Sequence, residues 1–300
     1  MCFKVAHALL KARPLEHFDL KQLLDLVSVA TVADIVPLIG ENRLIVRHGL
    51  QRLPETQNLG LRALQKKVGM TVRATAQDVG FRIGPRINAA GRMDVPEDAL
   101  AILMTQDEDE AEVLADELEA YNRERQGMEE LIRREALAML EAVPEAPVIV
   151  LGSRDWHPGV VGIVAARLMR QFHKPTFVIA IDENGVGKGS GRSIQGVSLV
   201  AAIAAGRDLL LAGGGHEMAA GISIRVEQMD AFRERFAAHV MQTTSVEQRR
   251  ARLRLDAELD FDLLSLRFLE SYELLQPFGN GNPQPIFLRA MCILVVRRCI

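Results

Sequence analysis

The segment from Thr105 to Leu140 constrains this chain more than any other. Ala111, Leu114, Leu118, Tyr121, Met128 and Ile132 recur at helical spacing, with Arg125 in one inward slot. Such a narrow apolar stripe on a charged helix suits an element that bridges two domains. Thr105 followed by Glu108 has the pattern of a capping box, and the acids at 107–110 suit the positive end of the helix dipole. A coiled-coil dimer is the competing reading, weakened by the polar interruption and the lack of a longer repeat. Pro144 and Pro147 close the segment. The 300 residues fit a two-domain reading on length alone.

Before the helix, MCFKVAHALLKAR reads as an amphipathic helix with Phe3, Ala6, Leu9 and Leu10 on one side. It has charged residues in its apolar part and no small-residue cleavage site, unlike a signal peptide. The near-continuous apolar run Leu23–Leu38 reads as a strand of a sheet covered on both faces, with Asp34 near its end. Glu41–Leu53 reads as a helix with Leu44, Ile45, Leu50 and Leu53 inward.

After Pro147 the pattern becomes strand–helix–strand, an α/β domain. PVIVLGS and PTFVIAI are strands, Gly159–Phe172 and Val226–Gln242 helices, and the DENG at 182–185 a turn. New β-like material begins at Leu253–Leu259, and the sequence stops in an apolar strand pattern, FLRAMCILVVRRCI.

No apolar run approaches the roughly 18 residues of a membrane span. Cys2, Cys292 and Cys299 form neither a disulfide framework nor a thiolate metal spacing, so a reducing cytoplasm is expected. The net charge of −3 excludes a uniformly basic nucleic-acid binder but leaves room for a local basic groove.

Four clusters carry chemistry. Asp34 offers a carboxylate. In GFRIGPRINAAGRMD, Arg86, Asn88 and Arg92 stand among small residues, where guanidinium forks meet phosphate oxygens in pairs. DWHPGVVG is followed by GKGSGRS, in which Lys188, Ser190 and Arg192 share one face of a glycine-loosened strand. LAGGGHEMAAGISI brings Gly213, Gly214 and Gly215 to His216, a turn whose amides suit an anion. Each has a plainer reading. Asp34 could cap the next turn or pair with a buried base, the arginines could form structural ion pairs, Trp156 and His157 a helix entry ahead of Pro158, GKGSGRS a charge-protected sheet edge, and GGGH a surface turn. Together they form an inventory for holding a phosphodiester chain.

TVADIVPL, IGPRINAAGR, the NRERQ helix, WHPGVVGIVAARL, GSGRS, GGGHEMAAG and PFGNGNPQP resemble, in order and spacing, the RecJ family. These are single-strand-specific 5′→3′ exonucleases of the DHH phosphoesterase superfamily. The resemblance covers essentially the whole chain. It implies an α/β protein with the C-terminal part of a DHH catalytic domain at 1–104, a connecting helix at 105–143, a DHHA1 nucleic-acid-binding domain at 144–245, and a linker with a truncated OB-like domain at 246–300. It implies Asp34 as a ligand of Mn²⁺ or Mg²⁺. Arg86, Asn88 and Arg92 would stand near the reacting phosphate, with Ser190, Arg192, Gly214, Gly215 and His216 binding substrate phosphates. The implied partner is single-stranded DNA, met by a monomer in DNA repair and recombination beside a repair helicase or single-strand-binding protein.

One departure matters: the sequence contains no Asp-His-His tripeptide. One aspartate does not supply the several oxygens that a hard divalent ion needs. The expectation is therefore the back half of such an enzyme, able to bind a strand but not to cut it alone. Two alternatives are a DHH–DHHA1 phosphodiesterase of short oligonucleotides or cyclic dinucleotides, and a non-catalytic single-strand-binding module of the kind attached to alanyl-tRNA synthetases.

Overall fold

The computed structural model describes residues 1–70, 73–141 and 146–289. The chain divides into two compact units, Met1–Tyr121 with the described residues from Leu253 onward, and Asn122–Arg252.

The first unit is mainly helical: α1 (Cys2–Ala12), α2 (Leu24–Ala33), α3 (Gly40–Arg52), α4 (Leu59–Lys67), a short α5 (Ala76–Asp78), α6 (Gly84–Arg92), α7 (Pro96–Met104) and the start of α8 (Glu108–Glu141). A π-helical turn, Val79–Ile83, joins α5 to α6. Val46, Leu53, Leu61, Leu64, Val79, Ile83, Ile102 and Leu118 form its core.

The strand expected at Leu23–Leu38 is instead helix α2. An apolar run of this length has no period that separates a buried strand from a helix, and packing decides. Here α3 crosses so closely that a Cβ on Gly49 would lie 2.1 Å from the Leu24 carbonyl oxygen. The contact buries two polar residues of α2: Asp25 accepts from Thr56 Oγ1 at 2.5 Å, and Ser28 Oγ donates to the Asp25 carbonyl at 2.7 Å. One inward assignment also fails: Leu44 on α3 is exposed, while Val46 is buried.

Helix α8 begins later than Thr105. Asp107 caps it, its carboxylate accepting the Asp109 and Glu110 amides at 2.8 and 3.0 Å, while Thr105 Oγ1 accepts the Asp107 amide at 3.1 Å. Ala111, Leu114 and Leu118 join the core of the first unit, and Ile132 and Ala136 join a core of the second. The stripe is thus covered by its own chain, which removes the coiled-coil seam. Arg123, Glu124 and Gln126 on the other side are exposed. Pro144 lies outside the described residues.

The second unit is built on a five-stranded sheet of order β1-β2-β3-β5-β4. Its elements are β1 (Ile149–Ser153), α9 (Val161–Phe172), β2 (Thr176–Ile181), β3 (Val186–Arg192), α10 (Leu199–Ala205), β4 (Leu210–Gly215), β5 (Ala219–Arg225), α11 (Met229–Thr243) and a short α12 (Val246–Arg249). β1 and β2 run parallel and the other pairs antiparallel. One face is covered by α10 and α11, where Phe232 and Phe236 meet the Phe177 ring edge-on, each at 5.6 Å. On the other face α9 packs with Ile132 and Ala136 of α8 over Ile149, Leu151, Val178 and Ala180. That cover ends beside β3, and Ala212, Gly214 and Gly221 beyond it are exposed.

The chain then returns to the first unit. A parallel pair of two-residue strands, β6 (Ala257–Glu258) and β7 (Phe287–Leu288), flanks α13 (Leu266–Glu273). Most of the expected C-terminal strand, with Cys292 and Cys299, lies outside the described residues.

Candidate functional site

The alternation of GKGSGRS puts glycines on one face of β3 and polar side chains on the other. Gly187, Gly189 and Gly191 of β3 face the core, where a Cβ on Gly191 would lie 2.4 Å from the Phe177 ring and one on Gly187 2.5 Å from Ile179 Cγ2. These glycines therefore do not loosen the strand; they let it press against its neighbours. β3 is also an interior strand, paired on both sides, so the sheet-edge reading fails.

Lys188, Ser190 and Arg192 stand on the opposite face. Arg192 Nη1 donates to Ser190 Oγ at 3.1 Å and to the Gly191 carbonyl at 2.7 Å. The first turn of α9 comes down on this pair at Gly162, where a Cβ would lie 2.9 Å from Ser190 Oγ and 3.4 Å from Arg192 Nη2. Toward the sheet edge, Ser190 pairs with Gly221 and Gly221 with Gly214. A Cβ on Gly214 would meet nothing within 4 Å, and one on Gly221 only the Gly189 carbonyl oxygen at 3.9 Å. Next to a hydroxyl and a guanidinium there is thus a shelf without side chains, open to solvent, where a ligand can reach the backbone.

GGGH is an edge strand entering a hairpin, not the tight anion-binding turn expected. Gly215 ends β4 at φ 144°, and a Cβ there would sit 2.5 Å from the Ala219 carbonyl oxygen, so only glycine fits. The His216 amide donates to that carbonyl at 2.8 Å, and Ala219 pairs with Arg192, which puts His216 at the Arg192 end of β3. Its side chain is exposed. Trp156 and His157 serve the helix entry: buried Trp156 donates through Nε1 to Glu135 at 2.8 Å, and His157 Nδ1 accepts the Gly159 amide at 3.2 Å. Gly162 and Gly221 are not among the expected site residues, and the sequence gives no signal for them beyond a glycine beside apolar residues.

In the first unit, Asp34, Asn88 and Arg92 line one open cleft of about 550 Å³, floored by Val29, Ala30 and Ala33 of α2. Asp34 is the C-cap of α2, its amide donating to the Ala30 carbonyl at 3.1 Å. The C-terminal end of a helix carries partial negative charge, which favours a cation nearby. Ile35 follows at φ 55°, a left-handed conformation unusual for a β-branched residue. Asn88 and Arg92 share a face of α6 at a spacing of four.

Arg86 does not join them. Its Nε donates to Glu119 at 2.5 Å and its Nη1 to the Arg82 carbonyl at 2.6 Å, which ties α6 to α8. Upstream of α6, helix α5 is capped by Thr75, which donates through its amide and hydroxyl to Asp78 at 3.0 and 2.7 Å. Burial works to raise the Asp78 pKa, yet the Thr75 bonds and the Arg82 guanidinium outweigh it and hold the carboxyl below its ordinary value.

The described residues include no group of three or more His, Cys, Asp or Glu side chains that could hold a metal ion. Asp34 alone does not fit a hard divalent cation, which takes six or so oxygen ligands. Among the described residues, no helix is long and apolar enough to cross a membrane.

The DHHA1 domain family matches residues 145–242, and the RecJ OB domain family matches residues 255–299. The single-stranded-DNA-specific exonuclease RecJ of Bacillus subtilis is 39% identical over 98% of this chain and 37% of its own length. That of Thermus thermophilus is 42% identical over 88% of this chain and 38% of its own length. The crystal structure of RecJ from Thermus thermophilus in complex with Mg²⁺ superposes with a TM-score of 0.81 at 40% identity, over 89% of this chain and 41% of that one. Its Mn²⁺ complex gives the same TM-score and identity. The chain thus spans less than half the length of these relatives. Within that span it is a mixed α/β protein that resembles RecJ, with a match to the DHHA1 domain family followed by one to the RecJ OB domain family.

Proposed function

We propose that this chain is the strand-gripping part of a single-strand-specific 5′→3′ exodeoxyribonuclease that acts in DNA repair and recombination. The observation that carries this reading is the shelf of Gly221 and Gly214 beside Ser190 and Arg192. A backbone phosphate can settle there against a hydroxyl, a guanidinium and the first turn of α9, with no side chain to read a base. The relatives' printed activity supports the substrate, and a single strand suits a groove that tracks phosphates.

The cleft of Asp34, Asn88 and Arg92 is the part that would face the reacting phosphate. Mn²⁺ or Mg²⁺, when bound, would supply Lewis-acid chemistry there. From this chain Asp34 contributes one carboxylate, and Asn88 and Arg92 orient and neutralise the phosphate. The reading extends to the domain limits 1–104, 105–143, 144–245 and 246–300, to a monomer in the cytoplasm, and to a repair helicase or single-strand-binding protein that delivers the strand.

The test is binding of labelled oligo(dT) to the purified chain at several salt concentrations. Loss of one phosphate contact in Arg192→Ala is expected to lower the slope of log K against log salt by about 0.7. Unchanged affinity and slope in that variant, or equal affinity for duplex, would overturn the proposal.

A further inference from the structure

The turn at Gly279–Asn282 grips the backbone directly after Asp34, and Asn280 holds it at two points. Its Nδ2 donates to the Ile35 carbonyl at 2.7 Å, and its own carbonyl accepts the Leu38 amide at 2.6 Å. These bonds bracket the loop from Ile35 to Leu38, whose first residue is the left-handed isoleucine at φ 55°. Such a conformation persists only where the surroundings over-determine it. Packing adds to the grip: a Cβ on Gly279 would lie 2.7 Å from Leu38 Cδ1. Gly281, at φ 75°, lies so close that its Cβ would meet Ile39 at 3.2 Å and Pro37 at 3.3 Å.

The turn is itself anchored. Asn282 Nδ2 donates to the Leu275 and Pro277 carbonyls at 2.9 and 2.8 Å, and Arg43 of α3 donates to the Leu274 and Leu275 carbonyls at 3.2 and 2.7 Å. The side-chain bond from Asn280 joins residues 245 positions apart in sequence.

We propose that Asn280 is a positioning residue for Asp34. By pinning the strained peptide next to it, the downstream segment fixes the direction in which the Asp34 carboxylate enters the cleft with Asn88 and Arg92. This rests on the reading of Asp34 as a working residue, but the clamp can be tested apart from it.

The test compares Asn280→Ala, Asn280→Asp and Asn280→Ala/Ile35→Gly in the 300-residue chain. In Asn280→Ala, hydrogen exchange at the Val36 and Leu38 amides is expected to accelerate about tenfold, the scale of one lost hydrogen bond. Three-bond couplings of Asp34 should change from a single χ1 rotamer to an average. Asn280→Asp keeps the shape but sets an acceptor against the Ile35 carbonyl, and should be at least as disturbed. Ile35→Gly, which removes the strain, should restore both readouts in the Asn280→Ala background. Unchanged exchange and couplings in Asn280→Ala, or no rescue by glycine, would overturn the clamp. Asp34→Asn in single-strand degradation by the full-length protein tests the underlying reading: full activity there would remove the positioning role even with the clamp intact.

Discussion

A methyl group on Gly162 would come 2.9 Å from the Ser190 hydroxyl and 3.4 Å from the Arg192 guanidinium. The first turn of α9 and the C-terminal end of β3 therefore form one surface, with no room for a side chain between them. Gly162→Ala should move Ser190 and Arg192 without weakening the helix, since alanine favours helix over glycine by about 1 kcal/mol. The expected result is a Tm equal to or above wild type, with single-strand affinity reduced several-fold. Affinity and Tm falling together would show that Gly162 serves the fold only.

Arg86 and Arg92 lie on one helix but are expected to part in function. Arg86 is paired with Glu119, each side chain 16% or less exposed, whereas Arg92 lines the cleft. Removing one partner of a charge-assisted bond in such a place costs about 2 kcal/mol. Arg86→Ala and Glu119→Gln should thus lower stability by similar amounts, and the double variant by less than their sum. Urea melts of the four proteins measure this. Full additivity would mean that the pair contributes nothing as a pair.

What the sequence made legible was local. β1 and β2 are short apolar runs bounded by turn residues, and α8 carries its period over many turns, so pattern alone placed them, whereas the glycines of β4 read as a turn. The run Leu23–Leu38 misled because it is apolar all round, and the feature that decides it, Gly49 against Leu24, lies on another helix. The shelf was half visible. GKGSGRS shows its three polar residues, but its glycines suggest looseness, whereas Phe177, Ile179 and Ile222 fill the space behind them. The sequence leaves Arg86 open between a phosphate contact and an ion pair, because its partner Glu119 belongs to a helix whose facing the sequence does not fix.

The turn that leads into α6 should give the first unit an acid-sensitive step. Asp78 is held below its ordinary carboxylate value by Thr75 and Arg82 against the cost of burial. Its folded value lies below its unfolded one. The stabilisation is therefore present above the unfolded value and is lost as pH falls through the folded one. Asp78→Asn should lower Tm at pH 7, and its gap to wild type should narrow once the pH drops below about 4. Thermal melts from pH 7 to pH 2.5 follow it. A gap that stays constant across that range would mean that Asp78 acts through its shape and not through its charge.

The sharpest contrast lies between two glycines changed in the same way. Gly191 faces the core, where an added Cβ would lie 2.4 Å from Phe177, a ring already wedged against Phe232 and Phe236. That ring has no free direction to move, so Gly191→Ala should cost about 1–3 kcal/mol by overpacking, or prevent folding. Gly214 faces solvent, where an added Cβ meets nothing within 4 Å, so Gly214→Ala should leave Tm within about 1 °C, as expected of a surface change worth a few tenths of a kcal/mol. The order reverses for the ligand. If a DNA backbone lies on the shelf, the Gly214 methyl group occupies the space that a sugar or phosphate needs, and affinity for oligo(dT) should fall although the protein is as stable as before. Gly214→Ala binding like wild type would place the strand elsewhere, and the function of the shelf would have to be reconsidered. A soluble Gly191→Ala with unchanged Tm would mean that the sheet yields where its packing says it cannot.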